Sequence, residues 1–278
     1  MIDRTDELII QKKHLPLDNF ELKTTKGFCD NLTKSGRLIN LRDIPNQLRQ
    51  DYLDETLFLP DRANYHFKID PDLWRKALDY ACQKAARIIT SALGSNLYNT
   101  PIVLPWRAGL GYLKPFADCG VEKFVHFGIK RNEDEPHLTK EIYLDLDEEA
   151  IISRSNYVLI TDIMLATGGS FKTIIKKLER LGVRQEEIIL ISLISAPEGI
   201  YSLIKRFPRL QLILTNTIDQ CLNEFAYIKP GLGDAGNKFF DRLLIDYFKD
   251  YTRFFSYQQW QLLIKLIETA NSRYLCKV

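Results

Sequence analysis

From Asp70 onward two hydrophobic periods alternate along the chain. Leu73, Trp74, Ala77, Leu78, Ala81, Cys82 and Ala85 recur at three- and four-residue spacing, which predicts a helix with one apolar face. Asp70 suits its N-cap, Pro71 its first turn, and Gly94 marks its end. Short apolar runs follow at Ile102–Leu104, Phe124–Ile129, Glu141–Leu146, Tyr157–Thr161, Ile188–Leu193 and Leu212–Thr215, and these read as strands. Between them, helical patterns begin at Arg107 and cover Gly168–Leu181 and Glu198–Phe207. Alternation of this kind predicts an α/β fold, a Rossmann-like, mostly parallel sheet of about five strands flanked by helices. A hairpin near residues 216–228 is expected to form a small hood over it.

The two ends of the chain read differently. Residues 1–69 have weak periodicity, several prolines and many charges, and predict an irregular layer with short helices. Beyond residue 240, Leu244, Tyr247, Phe248, Tyr251, Phe254 and Phe255 recur at helical spacing with Phe239, Phe240 and Leu243, and Ser256 suits the cap of a last helix. A tail this aromatic must be buried, against the core or against a second subunit. The expected organisation is an N-terminal helical and irregular region (1–100), a core (101–240) and a C-terminal α-helical extension (241–278).

Composition narrows the classes. Of 278 residues, 45% are hydrophobic and 27% charged, which suits a water-facing protein with a sizeable core. A net charge of +2 gives no reason to expect nucleic acid or a membrane as partner. No apolar run is long enough to span a bilayer, and the first residues lack the apolar stretch of an export signal. Five scattered cysteines without C-x-x-C spacing imply neither a metal site nor a disulfide framework, and fit a reducing cytoplasm. His14, His66, His126 and His137 are equally scattered and read as structural or surface residues.

Tyr157 to Ser170 carries the chemistry: strand, acid, turn, glycine-rich loop, helix. Gly168 and Gly169 let backbone N–H groups approach a phosphate, and the following helix offers unpaired N–H groups and the positive end of its dipole. Thr167 and Ser170 add hydroxyl donors, while Asp162 could hold ribose hydroxyls or the hydration shell of Mg²⁺. The same Gly-Gly-Ser pattern also serves as a plain turn into a helix.

Asp162-Ile-Met-Leu-Ala-Thr-Gly-Gly-Ser170 resembles the phosphoribosyl pyrophosphate motif of uracil phosphoribosyltransferases, usually D-P-M-L-A-T-G-G-S. Three more segments resemble that family in its own order: Arg107-Ala-Gly-Leu-Gly111 its pyrophosphate loop, Ile129-Lys-Arg-Asn-Glu133 the start of its flexible loop, and Tyr227-Ile-Lys-Pro-Gly-Leu-Gly-Asp-Ala-Gly236 its base-recognition segment. Ala196–Ile200 and Ile218–Glu224 are also similar to it.

The resemblance implies a type I phosphoribosyltransferase fold and a glycosyl transfer that makes UMP and pyrophosphate from uracil and phosphoribosyl pyrophosphate. It implies that Arg107 and Arg131 contact the pyrophosphate and that Asp162, Ile163, Met164, Leu165, Ala166, Thr167, Gly168, Gly169 and Ser170 hold the ribose 5-phosphate end. Ile228, Gly233, Asp234 and Ala235 would recognise the pyrimidine, with Asp234 also facing the ribose and the metal. Mg²⁺ would arrive on the substrate phosphates rather than on a protein ligand set, and a homodimer is expected. The sequence departs from the family at Ile163, where proline is usual, at Lys130 and Trp106, and at Asn237, where an acid is usual. These departures leave open another pyrimidine-like base, and the aromatic tail with the long N-terminal region leaves open a silent nucleotide-binding regulatory relative.

Overall fold

The computed structural model describes residues 22–40, 71–131, 139–154, 156–223, 225–233, 235–236 and 244–275. Asp70, Phe239, Phe240, Leu243, the loop at 132–138, Asp234 and Asn237 lie outside the described residues.

The core is a seven-stranded sheet in the order β1-β7-β6-β5-β2-β3-β4. Its strands are β1 (Leu38–Asn40), β2 (Ile102–Trp106), β3 (Phe124–Arg131), β4 (Thr139–Leu144), β5 (Val158–Leu165), β6 (Ile188–Ser195) and β7 (Leu212–Ile218). All neighbours run parallel except β4, which is antiparallel to β3. A second, two-stranded sheet pairs β8 (Cys221–Leu222) with β9 (Ile228–Lys229) and forms the hood hairpin.

Helices cover both faces: α1 (Leu22–Lys34), α2 (Pro71–Leu93), α3 (Leu113–Asp118), α4 (Glu148–Ile152), α5 (Gly169–Arg180), α6 (Pro197–Arg206), α7 (Leu244–Phe248) and α8 (Tyr257–Leu275). Strand residues point alternately to the two sides. Leu159 therefore joins the apolar cluster under α2 and the C-terminal helices, while Val158 and Ile160 join the cluster under α1, α5 and α6.

Three features differ from the pattern reading. Leu38–Asn40 adds an edge strand that two apolar residues and an asparagine could not announce; only its pairing with Ile213–Thr215 makes it a strand. Arg37 fixes that edge. Its Nε–H donates to the Leu210 carbonyl at 2.8 Å and its Nη2 to the Pro208 carbonyl at 2.9 Å, and burial lowers its pKa to about 10. Secondly, β5 and β6 run on to Leu165 and Ser195, because their ladder continues through Met164–Ile194 and Leu165–Ser195. Finally, the first helical run of the tail does not continue to Phe255, because α7 ends at Phe248. A 3-10 segment, Lys249–Phe254, separates α7 from α8.

The tail is buried against this chain's own core. Leu244, Phe248 and Leu263 are fully covered, and Phe255 packs among Trp106, His126, Phe248 and Trp260. Ser256 caps α8 as expected: Gln259 N–H donates to its Oγ at 3.2 Å, and its own N–H donates to Gln259 Oε1 at 2.9 Å.

Candidate active site

The chain leaves β2 toward β3 on one side and returns to place β5 on the other. The order therefore reverses between β2 and β5. In open parallel sheets the crevice beyond the carboxyl ends of two such strands is where ligands bind. Arg107 directly follows β2, and Asp162 to Ser170 runs from the last half of β5 into α5.

Asp162 to Leu165 lie within the strand, and only Ala166 to Gly168 form the loop. Ile163, Leu165 and Ala166 are buried. Any contact they make with a ligand passes through the backbone. Asp162 is half-buried, and its Oδ1 accepts the Ile163 N–H at 2.7 Å. Gly168 caps α5 with φ 76°, a left-handed conformation that L side chains rarely adopt. Thr167 Oγ1 lies 3.4 Å from the Gly169 nitrogen, whose N–H it accepts, and Thr167, Gly169 and Ser170 are all half-exposed. A hydroxyl and a twelve-residue helix's N-terminus thus face the crevice together.

The cradle is held from behind. Ala196 N–H donates to the Leu165 carbonyl at 2.8 Å. A Cβ on Gly199 would stand 2.2 Å from the Ala166 carbonyl oxygen. The sequence segment Ala196–Ile200 resembled the family without an assigned role; its role here is this close approach.

Arg107 opens a 3-10 turn, Ala108–Tyr112, that leads into α3. The turn lies against β5: a Cβ on Gly109 would meet the Thr161 carbonyl oxygen at 2.8 Å, and one on Gly111 would meet Ile163 Cδ1 at 3.1 Å. The isoleucine found where the family usually has proline is thus a packing residue beneath the Arg107 loop. Trp106–Arg107 is a cis peptide. The Tyr112 hydroxyl is fully buried and finds no hydrogen-bond partner among the described residues; burial raises its pKa, and Cys82 and the Asp162 carboxylate raise it further. Tyr143 on β4 is pushed up to about 12 by burial, against the opposing pull of Arg107. Arg131 ends β3, on the far side of β2 from Asp162.

The hood closes the third side. Asp219 N–H donates to the Ser195 carbonyl at the end of β6, and Asp219 Oδ2 accepts the Gly231 N–H at 2.8 Å. Glu198 Oε1 accepts the Leu222 N–H at 2.9 Å. Ile228, Leu232 and Ala235 are buried in the same cluster as Ile163 and Ala166, with Gly233 between them. The structure thus brings Arg107, the Asp162–Ser170 stretch and Ile228, Gly233 and Ala235 to one end of the sheet. Asp219 and Glu198, which anchor the hood, carried no sequence-based role, since their signal is visible only once the hairpin is placed. Among the described residues no three of His, Cys, Asp and Glu stand together as a metal site.

Comparison with known proteins agrees with this layout. The uracil phosphoribosyltransferase family model matches residues 84–241. A uracil phosphoribosyltransferase of Metamycoplasma hominis is 36% identical over 149 residues, 53% of this chain and 68% of that protein. One of Dictyostelium discoideum is 41% identical over 124 residues, 45% of this chain and 55% of that protein, so the chain spans little more than half of it. Among solved structures, the AQ2163 protein of Aquifex aeolicus superposes with a TM-score of 0.53 at 22% identity, covering 72% of this chain and 96% of that one, which speaks to the fold. The matched stretch takes in the cradle, the Arg107 loop and the hood, more than half of the 278 residues, and on that ground the chain belongs to the uracil phosphoribosyltransferase family, a family of pentosyltransferases.

Proposed function

We propose that the protein joins uracil to the ribose of phosphoribosyl pyrophosphate, forming UMP and releasing pyrophosphate. The observation that carries this reading is the meeting, at the β2–β5 reversal, of an arginine-led turn and a helix-capping phosphate cradle. A ring nitrogen of the base gives up its proton to water or to the departing pyrophosphate and bonds to C1 of the ribose as the C1–oxygen bond to pyrophosphate breaks. No protein nucleophile is required. The chain's work is to position the two substrates and to neutralise the leaving group.

Each segment has a part. Backbone N–H groups at Thr167 to Ser170, with the two hydroxyls, bind the 5-phosphate. Arg107 and Arg131 hold the pyrophosphate, a guanidinium being suited to phosphate oxygens and permanently charged. Asp162 orients the ribose hydroxyls. Backbone groups of Ile228, Gly233 and Ala235, with Asp234 beside them, read the carbonyl and N–H edge of the base. Mg²⁺ would neutralise charge on the departing pyrophosphate. A single half-exposed carboxylate at Asp162, with substrate phosphates and water, fits the way this ion is usually held. We extend the reading to a cytoplasmic homodimer of pyrimidine salvage with neither nucleic acid nor membrane as partner. The small net charge supports the absence of nucleic acid and membrane partners, and Phe225 and Tyr227, exposed on the hood, support a second subunit.

The test is pyrophosphate release from phosphoribosyl pyrophosphate and Mg²⁺ with uracil, cytosine, other bases or none, beside Asp162→Asn. Uracil-dependent release, reduced at least a hundredfold in the variant, is expected if ribose orientation is worth a few kcal/mol in the transition state. Release with a different base would move the reading to a related pyrimidine. Binding of the sugar substrate without release under any base would sink the enzymatic reading and leave a regulatory site.

A further inference from the structure

The C-terminal segment lies beyond the family match, which ends at residue 241, yet it touches both flanks of the Arg107 turn. On the leading flank, the buried Trp106 indole N–H donates to His126 Nδ1 at 2.9 Å. His126 Nε2–H in turn donates to the Phe254 carbonyl at 2.8 Å. The two bonds demand one neutral tautomer, with Nδ1 accepting and Nε2 donating. The Phe255 ring closes the arrangement, its centroid 4.7 Å from His126 and 6.3 Å from Trp106. On the trailing flank, the Tyr251 hydroxyl donates to Asp118 at the end of α3, and Lys114 pairs with Asp118 at 3.1 Å.

We infer that His126 is a positioning residue for Arg107, and that the C-terminal segment braces the Arg107 turn through it. The inference rests on the reading of that turn as the pyrophosphate loop. Trp106 is bonded directly to Arg107, so the orientation of one peptide sets that of the next. An anion clamp is effective only if its backbone is held before the ligand arrives. The apolar contacts of Phe255 could bury the tail in several rotations about the sheet edge. Two directional hydrogen bonds through one ring select a single one, because a misplaced tail would leave the His126 Nε2–H buried without its acceptor, the Phe254 carbonyl. The trailing bonds to α3 hold the other end of a turn only five residues long.

The experiment compares His126→Phe, which keeps a ring but makes neither bond, with His126→Gln, which retains one acceptor and one donor. Amide hydrogen exchange over Arg107–Tyr112 is read without ligand, and the KM values for phosphoribosyl pyrophosphate and for uracil are read separately. We expect the Phe variant to exchange in the turn about tenfold faster and to need about tenfold more phosphoribosyl pyrophosphate, with the uracil KM unchanged, toward the lower end of what the loss of two buried hydrogen bonds brings. The Gln variant should stay within about threefold of wild type on both readouts. Unchanged exchange in a folded Phe variant overturns the inference, as does a Gln variant as impaired as the Phe variant, or a loosened turn with an unchanged KM. If the Phe variant does not fold, Trp106→Phe removes the first donor and is held to the same outcomes. A turn that loosens in a protein whose wild type binds neither pyrophosphate nor phosphoribosyl pyrophosphate would leave the brace standing and sink the activity reading instead.

Discussion

At Gly199 a single added methyl group would collide with the backbone of the loop between β5 and α5. Its Cβ would stand 2.2 Å from the Ala166 oxygen, 3.0 Å from the Ala166 carbonyl carbon and 3.1 Å from the Leu165 oxygen. All three are backbone atoms, which cannot swing aside as a side chain would. Gly199→Ala should therefore push α6 off the loop, costing about 1–3 kcal/mol of stability, as overpacking usually does. Affinity for phosphoribosyl pyrophosphate should fall about tenfold, the equivalent of about 1.4 kcal/mol lost at the loop. Gly27, in the middle of α1, is the control. A Cβ there meets nothing within 4 Å, and Gly27→Ala should gain roughly 0.5–1 kcal/mol from helix propensity alone. Urea denaturation and calorimetric titration with the sugar substrate measure both variants. Wild-type affinity in Gly199→Ala would mean that the loop is shaped by something other than this contact.

Among the elements, the C-terminal helices add apolar burial that the motif-bearing core does not supply. Phe248 and Leu263 are fully buried and Phe255 nearly so. At about 1.5–3 kcal/mol for each large apolar side chain buried, these three alone reach about half or more of a typical domain's net stability. They also cover Trp106, His126 and Phe124 on the β2–β3 side of the sheet. Removing residues 244–278 should accordingly abolish a cooperative thermal transition or yield aggregates, followed by circular dichroism melting and size-exclusion chromatography. A monodisperse truncated protein with the wild-type midpoint would make the tail an appendage. The opposite edge is tied down differently. There a short strand, β1, is held by a buried arginine reaching three-dimensional neighbours more than 170 positions away in sequence.

Over the whole molecule, stability should respond to acid through His126. Burial pushes its pKa from 6.5 down to about 4, partly offset by the bond to the Phe254 carbonyl. Below pH 6.5 the unfolded chain takes up a proton there that the folded chain refuses. The stability present above pH 6.5 therefore falls as pH drops, by about 1.4 kcal/mol per pH unit, and levels off near pH 4. Urea denaturation at pH 7.5 and pH 5, on wild type and His126→Gln, isolates this contribution from the carboxylates that both proteins share. We expect the wild type to lose more stability than the variant between the two values. Equal losses would show that His126 is not held neutral by the fold.

The hydrophobic period along Pro71–Leu93 and the apolar runs at β2, β3, β5, β6 and β7 were enough to assign helices, strands and a parallel α/β sheet, because period and burial are local consequences of residue order. The strand, loop and helix around Thr167 to Ser170 were likewise legible, since such a turn needs little beyond its own residues. Other features depend on partners distant in the chain. Leu38–Asn40 became a strand only through β7, and Ile163 a packing residue only beneath Gly111. Gly199 became a support for the cradle only where α6 meets Ala166. His126 looked like an isolated histidine until folding placed Trp106 on one ring nitrogen and the Phe254 carbonyl, 128 positions away, on the other. A residue pattern records which face of an element is apolar, but which atoms of another element meet that face is decided by packing of the whole chain, and the brace on the Arg107 turn exists only at that level.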